Sequence, residues 1–117
     1  MKPEITYDAK LNEPVILKSG NTLLLSVNIS GCPTPRVRWS HDETELTVKQ
    51  GLTIESKDTY STFTLKGVTS ENSGKYKVTA SNVVDETSAE FTVVVKGKFH
   101  QIKFILLRIL TEWYIID

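Results

Sequence analysis

Short runs in which apolar and polar residues alternate dominate the chain between residues 3 and 96. The clearest run extends from Thr22 to Ile29, where every odd-numbered position is apolar and most even-numbered positions are polar. A period of two is the pattern of a β-strand with one buried face. The segment Gly31-Cys32-Pro33-Thr34-Pro35 ends this run, because proline donates no backbone hydrogen bond and restricts the residue before it.

Further runs of the same kind follow, each bounded by turn residues. Seven or more short strands at this spacing predict an all-β, two-sheet Greek-key sandwich. Its inward positions are expected to include a set of large or β-branched side chains. The structural core that we predict consists of Val27, Trp39, Phe63, Leu65, Tyr76, Val78 and Phe91.

Composition narrows the function classes. The 117 residues are 39% hydrophobic and 24% charged, which suits one domain with its own core. Lys+Arg and Asp+Glu both number 14, so the basic excess of a nucleic-acid-binding protein is absent. No catalytic frame surrounds a nucleophile, and no His/Cys cluster, with His41 and His100 far apart, has metal-ligand spacing. We therefore expect no catalytic residues, metal, cofactor or small-molecule substrate.

Two sequence motifs resemble those of a known protein family. They are Gly31-Cys32-Pro33-Thr34-Pro35-Arg36-Val37-Arg38-Trp39 and Asn72-Ser73-Gly74-Lys75-Tyr76. With Phe63-Thr64-Leu65 between them and Ala80-Ser81-Asn82 after them, most of residues 1–96 resembles an intermediate-set (I-set) immunoglobulin domain. The resemblance is closest to the domains of intracellular muscle proteins such as titin, twitchin and myosin-binding protein C.

The resemblance places Val27 and Val78 where secreted immunoglobulin domains carry their two bridged cysteines. In those domains a tryptophan packs against the disulfide, and a corner tyrosine stands two residues before the second cysteine. Here Tyr76 stands two residues before Val78, and Trp39 fills the tryptophan position. Valines form no bridge, and disulfides belong to oxidising compartments. This predicts a cytoplasmic location, in the sarcomere or cytoskeleton.

The resemblance also implies that the Tyr76 hydroxyl bonds to the backbone upstream. Three positions depart from the family pattern. Asn72 replaces an acidic residue, Asp42-Glu43 replaces an Asp-Gly turn, and Asp85 replaces the glycine of the last hairpin. Aspartate adopts left-handed backbone less readily than glycine, so the geometry of the two turns is left open.

Three surface features have both a functional and an ordinary structural interpretation. Cys32 is a candidate free thiol beside two prolines, and an ordinary loop thiol is the favoured interpretation. The segment Asn28-Ile29-Ser30 fits the N-glycosylation pattern, which matters only in a secreted chain. The charged residues around the tryptophan are interpreted as a solvated sheet edge, with a partner surface as the alternative. They are Arg36, Arg38, Asp42, Glu43 and Glu45.

The composition changes after Lys96, so the domain is assigned to residues 1–96 and an apolar tail to 97–117. Apolar residues recur there at three- and four-residue steps, as in an amphipathic helix. Apolar residues would cover nearly every side of such a helix, and several of them are β-branched, which disfavours a helix. The structure of the tail is therefore left open. We interpret it as read-through into an intron, with a membrane-surface or partner helix as the alternative. It is too short an apolar run to span a membrane, and it is expected to promote self-association.

The sequence therefore predicts a non-catalytic structural and protein-interaction module of a titin-like muscle or cytoskeletal protein. Its partners would be filament proteins or neighbouring modules. One alternative is an extracellular adhesion or receptor domain that lacks its disulfide. Another is a regulatory immunoglobulin module beside a kinase or exchange factor.

Overall fold

A computed structural model describes residues 1–97. The predictions for the tail concern residues that, from 98 onward, lie outside this range. Nine β-strands and two short 3-10 turns, Ala9–Asn12 and Ser70–Asn72, build the described part. The strands are β1 (Glu4–Thr6), β2 (Val15–Lys18), β3 (Leu23–Ser30), β4 (Arg36–His41), β5 (Thr44–Glu45), β6 (Leu52–Ser56), β7 (Tyr60–Leu65), β8 (Gly74–Ser81) and β9 (Glu86–Lys96).

The strands form two sheets, one ordered β1-β3-β7-β6 and the other β2-β9-β8-β4-β5. All pairings between named strands are antiparallel except β2 with β9, which is parallel. Strands that follow each other along the chain often lie in different sheets, as β3 and β4 do. The predicted all-β, two-sheet sandwich is therefore confirmed.

The core lies between the sheets. Strand β3 alternates strictly, with four buried positions separated by four exposed ones, because one of its faces covers the core and the other meets water. Six of the seven predicted core residues are at most 1% exposed, whereas Leu65 is partly buried and packs at the margin of the cluster. Burying one such side chain contributes about 1.5–3 kcal/mol relative to leaving it exposed.

One hydrogen bond joins the two sheets inside this core. The Trp39 indole on β4 donates to the Ser61 hydroxyl on β7 at 2.9 Å, and that hydroxyl lies 2.8 Å from the hydroxyl of Ser56. Ser61 is fully buried and pairs with Val27 in the β3–β7 register, while Trp39 pairs with Val78 in the β4–β8 register. The polar link therefore lies in the same layer as the two valines.

Candidate functional site: the corner and the outer faces

The corner where the chain enters β8 is fixed by a tyrosine. The Tyr76 hydroxyl donates to the backbone oxygen of Asn72 at 2.6 Å. The Asn72 side-chain oxygen in turn accepts from the backbone N–H of Thr69 at 2.7 Å, in a capping box. Asn72 therefore retains the side-chain acceptor of the acidic residue that it replaces in the family pattern. These bonds hold the turn that carries the chain from β7 in one sheet to β8 in the other.

His41 and Asp42 close the same corner from the end of β4. The His41 ring stacks on Tyr76 with 4.4 Å between ring centroids, and its Nε2–H donates to the Ser73 carbonyl at 2.8 Å. The Asp42 carboxylate accepts from the backbone N–H of Lys75 at 2.9 Å. Burial, and to a lesser extent the charge of Asp42, raise the pKa of Tyr76 to about 12. The phenol is therefore held in its neutral, donating form.

Gly74 sits where no side chain fits. Its φ is +139°, and a Cβ at this position would lie 2.6 Å from both Asp42 carboxylate oxygens and 2.7 Å from His41 Nε2. Contacts below 3 Å force a neighbour to move, and here those neighbours are held by the hydrogen bonds described above. The glycine of the Ser-Gly-x-Tyr phrase is thus required by sterics as well as by its backbone angle.

The two turns that the sequence left open have different geometries. Asp42 and Glu43 adopt φ of +47° and +73°, so the β4–β5 turn uses left-handed backbone without a glycine. Asp85 is not among the positive-φ residues of the described chain. Its turn is held by the Asn82 side-chain oxygen, which accepts from the backbone N–H groups of Val84 and Asp85 at 2.9 and 3.1 Å.

The remaining candidates are on the surface. Cys32 is an exposed free thiol in the loop between β3 and β4, and Asn28 is exposed on the outer side of β3. His100 lies outside the described residues. Within residues 1–97, no three His, Cys, Asp or Glu side chains are grouped as a metal site would require. In the same range, no helix has the length and apolarity needed to cross a bilayer.

The outer face of the five-stranded sheet is rich in both signs of charge. Arg38 on β4 pairs with Glu86 on β9 at 3.2 Å, and the two side chains are about half exposed. Lys77 on β8 lies beside Glu90 on β9 in register. Exposed pairs of this kind contribute about 0–1 kcal/mol, so they set the charge pattern rather than the stability. Arg36 and Arg38 lie on this face, on a strand flanked by β8 and β5 rather than at the edge.

The outer face of the four-stranded sheet is different in chemistry, and we call it the uncharged face. Its central strands β3 and β7 present hydroxyl, amide and apolar side chains outward. They are Leu24, Ser26, Asn28, Ser30, Tyr60, Thr62 and Thr64. Acidic residues stand only on the two edge strands, Glu4 on β1 and Glu55 on β6, and the outward strand positions of this face carry no lysine or arginine.

Sequence reasoning missed Ser61, His41 and Gly74 as contributors. The signal for Ser61 was available, since it alternates in phase with Phe63 and is therefore a polar residue at an inward position. The contacts of His41 and Gly74 join segments more than 30 residues apart, and no local pattern reports them.

Comparison with known proteins places this geometry in a family. The Immunoglobulin I-set domain family matches residues 6–95. Titin of Drosophila melanogaster is 43% identical over 82 residues, which are 70% of this chain and, after rounding, 0% of titin. Myomesin-2 of Homo sapiens is 31% identical over 86 residues, 73% of this chain and 6% of that protein. Limbic system-associated membrane protein of Rattus norvegicus is 32% identical over 95 residues, 81% and 27% respectively. The chain thus spans only a small part of these relatives.

Solved structures agree. A titin immunoglobulin tandem superposes with a TM-score of 0.77 at 31% identity, over 84% of this chain and 51% of the other. The resemblance inferred from the two sequence motifs is thus confirmed. Several relatives, titin and myomesin-2 among them, are muscle structural proteins. This chain belongs to the immunoglobulin I-set domain family.

Proposed function

We propose that the chain is a non-catalytic structural and protein-interaction module of a titin-like modular muscle or cytoskeletal protein, working in the cytoplasm. The observation that carries this proposal is the disulfide-free centre of the sandwich. Val27 and Val78 are 1% and 0% exposed in the layer where the Trp39 indole bonds to Ser61, so apolar packing and one hydrogen bond, rather than a disulfide, close this layer of the core. Such a module keeps its fold in a reducing compartment.

The strand order supports a mechanical role. Strand β2 near the start of the domain pairs in parallel with β9 at its end, from Val15 opposite Val93 to Lys18 opposite Lys96. The backbone N–H of Ser19 extends this ladder by donating to Lys96 at 2.8 Å. When the two ends are pulled apart, parallel neighbours at the two ends slide along each other. Their hydrogen bonds are then loaded together in shear, which resists extension more than unzipping one bond at a time.

Single-molecule pulling on the chain tests this role. Because Ser19 N–H faces β9, alternation turns the N–H of Leu17 toward β9 and that of Ile16 toward solvent. Leu17→Pro should lower the unfolding force more than Leu17→Ala, which removes only packing. Ile16→Pro is the matched control at a side chain 62% exposed and should leave the force nearly unchanged. Equal forces for all three variants would refute the mechanical proposal.

One observation favours an extracellular adhesion domain as a second candidate. The Asn28-Ile29-Ser30 pattern is on the exposed side of β3, and one relative is a Limbic system-associated membrane protein. To test this candidate, the chain is expressed in eukaryotic cells and the intact mass of any secreted protein is measured. A folded, secreted chain glycosylated at Asn28 supports this candidate, whereas failure to leave the cell supports the cytoplasmic one.

We also propose that residues 97–117 promote self-association through their apolar side chains. Gel filtration of the full chain against a chain ending at Lys96 tests this. The full chain should elute earlier and over a broader range. Identical elution of the two chains would remove the proposal.

A further inference from the structure

We propose that Ser73 carries load in the stretched domain, because its hydrogen bonds tie the end of β9 to β4 across the intervening strand β8. This role rests on the proposed mechanical function, and it adds a residue outside the β2–β9 pairing on which that function depends. We call the contacts of Ser73 with Val95 and His41 the Ser73 latch.

The backbone of Val95 has no strand partner on the β8 side. On the other side of β9, the Ser19 N–H donates to the Lys96 carbonyl at 2.8 Å. Backbone groups of successive strand residues point to opposite edges, so the N–H and C=O of Val95 point toward β8. Strand β8 begins only at Gly74, which pairs with Val93, so no residue of β8 lies opposite Val95.

The Ser73 hydroxyl takes the place of the missing strand residue. Its oxygen accepts from the Val95 N–H at 2.8 Å, and the hydroxyl donates to the Val95 carbonyl at 3.4 Å. One side chain therefore serves both backbone groups, as a paired strand residue would. Val95 is 3% exposed and Ser73 is half-buried, so both bonds are shielded from water, which strengthens them.

Ser73 is itself held by a strand that is not a neighbour of β9. Its carbonyl accepts from the Nε2–H of His41, at the end of β4, at 2.8 Å. The sheet order is β2-β9-β8-β4-β5, so this bond reaches β4 past β8. The Ser73 latch thereby joins the end of β9 to the strand that carries the buried Trp39.

This connection bears on how the domain yields to force. Strand ends open more easily than strand centres, because fewer bonds hold them. Force on the C-terminal end of the domain enters β9 at Lys96, one residue beyond Val95. With the latch closed, the end of β9 is held from both sides, and the bonds to β2 are loaded together. With the latch open, the end can peel away and the bonds to β2 break in succession.

Pulling the full chain by its two termini tests this role, with Ser73→Ala and Ser19→Ala as a matched pair. Both serines are half-buried, but the Ser19 hydroxyl donates to the Val68 carbonyl at 3.3 Å rather than to β9. Ser73→Ala should raise the unfolding rate at a given force about fivefold or more, the fold-change of one lost hydrogen bond. Ser19→Ala keeps its backbone bond to Lys96 and should raise the rate less.

The direction of pulling separates load from overall stability. Handles on Cys32 and on Lys66→Cys load β3 and β7, because these residues follow the two strands, and they leave the end of β9 unloaded. Ser73→Ala should accelerate unfolding more along the termini than along this second axis. Equal acceleration in the two directions, or none along the termini, would overturn the proposal.

His41→Phe tests the other end of the latch. It keeps an aromatic ring against Tyr76 and removes the N–H that holds the Ser73 carbonyl. It should show the same dependence on direction, and it should add little to Ser73→Ala, because both changes open one connection. Rate increases that multiply in the double variant would contradict the connection to β4. Urea unfolding verifies that each variant folds, and His41→Phe alone carries the comparison if Ser73→Ala does not fold.

Leu17→Pro, pulled by the same termini, distinguishes failure of the latch from failure of the proposed function. A chain weakened by Leu17→Pro but not by Ser73→Ala would overturn the latch and leave the β2–β9 pairing as the force-bearing element. A chain insensitive to Leu17→Pro would refute the mechanical function, and the latch with it.

Discussion

The centre of the sandwich and the corner at the start of β8 hold the same strand by different means. At the centre, Val27, Val78 and Trp39 are buried, and one hydrogen bond to Ser61 crosses between the sheets. At the corner, the hydrogen bonds of His41, Asp42 and Tyr76 converge within one turn, around a glycine with no room for a side chain.

The fold is therefore sensitive to side-chain volume at the centre and to atomic position at the corner. Apolar packing is non-directional, so the centre loses free energy in proportion to the atoms removed. Hydrogen bonds and backbone angles are directional, so the corner should fail when one atom is added in the wrong place.

Adding one methyl group at the corner should have the largest effect. Gly74→Ala should destabilise the domain by at least about 3 kcal/mol, because strained backbone and a displaced His41–Asp42 pair act together. Gly67→Ala is the control, since Gly67 also has positive φ (+65°) but nothing lies within 4 Å of its Cβ position. Its expected loss is about 1 kcal/mol. Urea unfolding measures both, and equal losses would show that sterics at the corner are unimportant.

Removing volume at the centre should cost less. Val78→Ala should lower the free energy of unfolding by about 2 kcal/mol, the sum of lost burial and a small cavity. Val94→Ala removes the same atoms from a side chain 38% exposed and should cost less than about 0.5 kcal/mol. If both variants had the same urea midpoint, the centre would not be tightly packed.

Removing one hydroxyl at the corner should cost about 1.5 kcal/mol. Tyr76→Phe leaves the Asn72 carbonyl without its donor while keeping the ring that stacks on His41. The folded protein holds the Tyr76 proton up to about pH 12, above the ordinary tyrosine pKa of 10.0. Stability from this group is therefore complete below pH 10 and is lost as the pH rises through 12. The phenylalanine variant should lack this part of the alkaline loss, and unfolding midpoints across that pH range measure it.

Relieving backbone strain should give the smallest change, and it should be stabilising. Glu43 has φ of +73° in the β4–β5 turn, where glycine has no steric penalty. Glu43→Gly should raise the unfolding free energy by about 1 kcal/mol, less the added entropy of the unfolded chain. Thr44→Gly, in the neighbouring strand, is the control and should destabilise. A destabilised Glu43→Gly would mean that the turn does not store strain.

The two regions also differ in how far the sequence predicts them. Period-two alternation and the Trp39 and Tyr76 phrases predicted the sandwich, because burial repeats locally along each strand. The sequence does not predict the left-handed turn at Asp42-Glu43, since its residues do not require the angles that they adopt. The contact between Asp42 and Lys75 depends on the register of β4 with β8, which a single sequence does not encode locally.

The composition of the two outer faces can be predicted only in part from the sequence. The alternation that buries Val27 also turns Ser26 and Asn28 outward, so the composition of each face could be predicted strand by strand. Which strands lie side by side could not, because β3 neighbours β7 rather than the next strand in the chain. The contrast between the charged and uncharged faces therefore emerges only from the sheet order.

We infer that packing at Val27 and Val78 replaces a bridge between the sheets. The most direct test compares the unaltered chain with Val27→Cys/Val78→Cys in a Cys32→Ser background, by urea unfolding with and without reductant. We expect one cooperative transition of the unaltered chain at the same midpoint in both conditions. In the variant we expect the two cysteines to pair, and the reductant-sensitive bridge to contribute up to about 4 kcal/mol. A non-cooperative unaltered chain, or introduced thiols that do not pair under oxidising conditions, would contradict it.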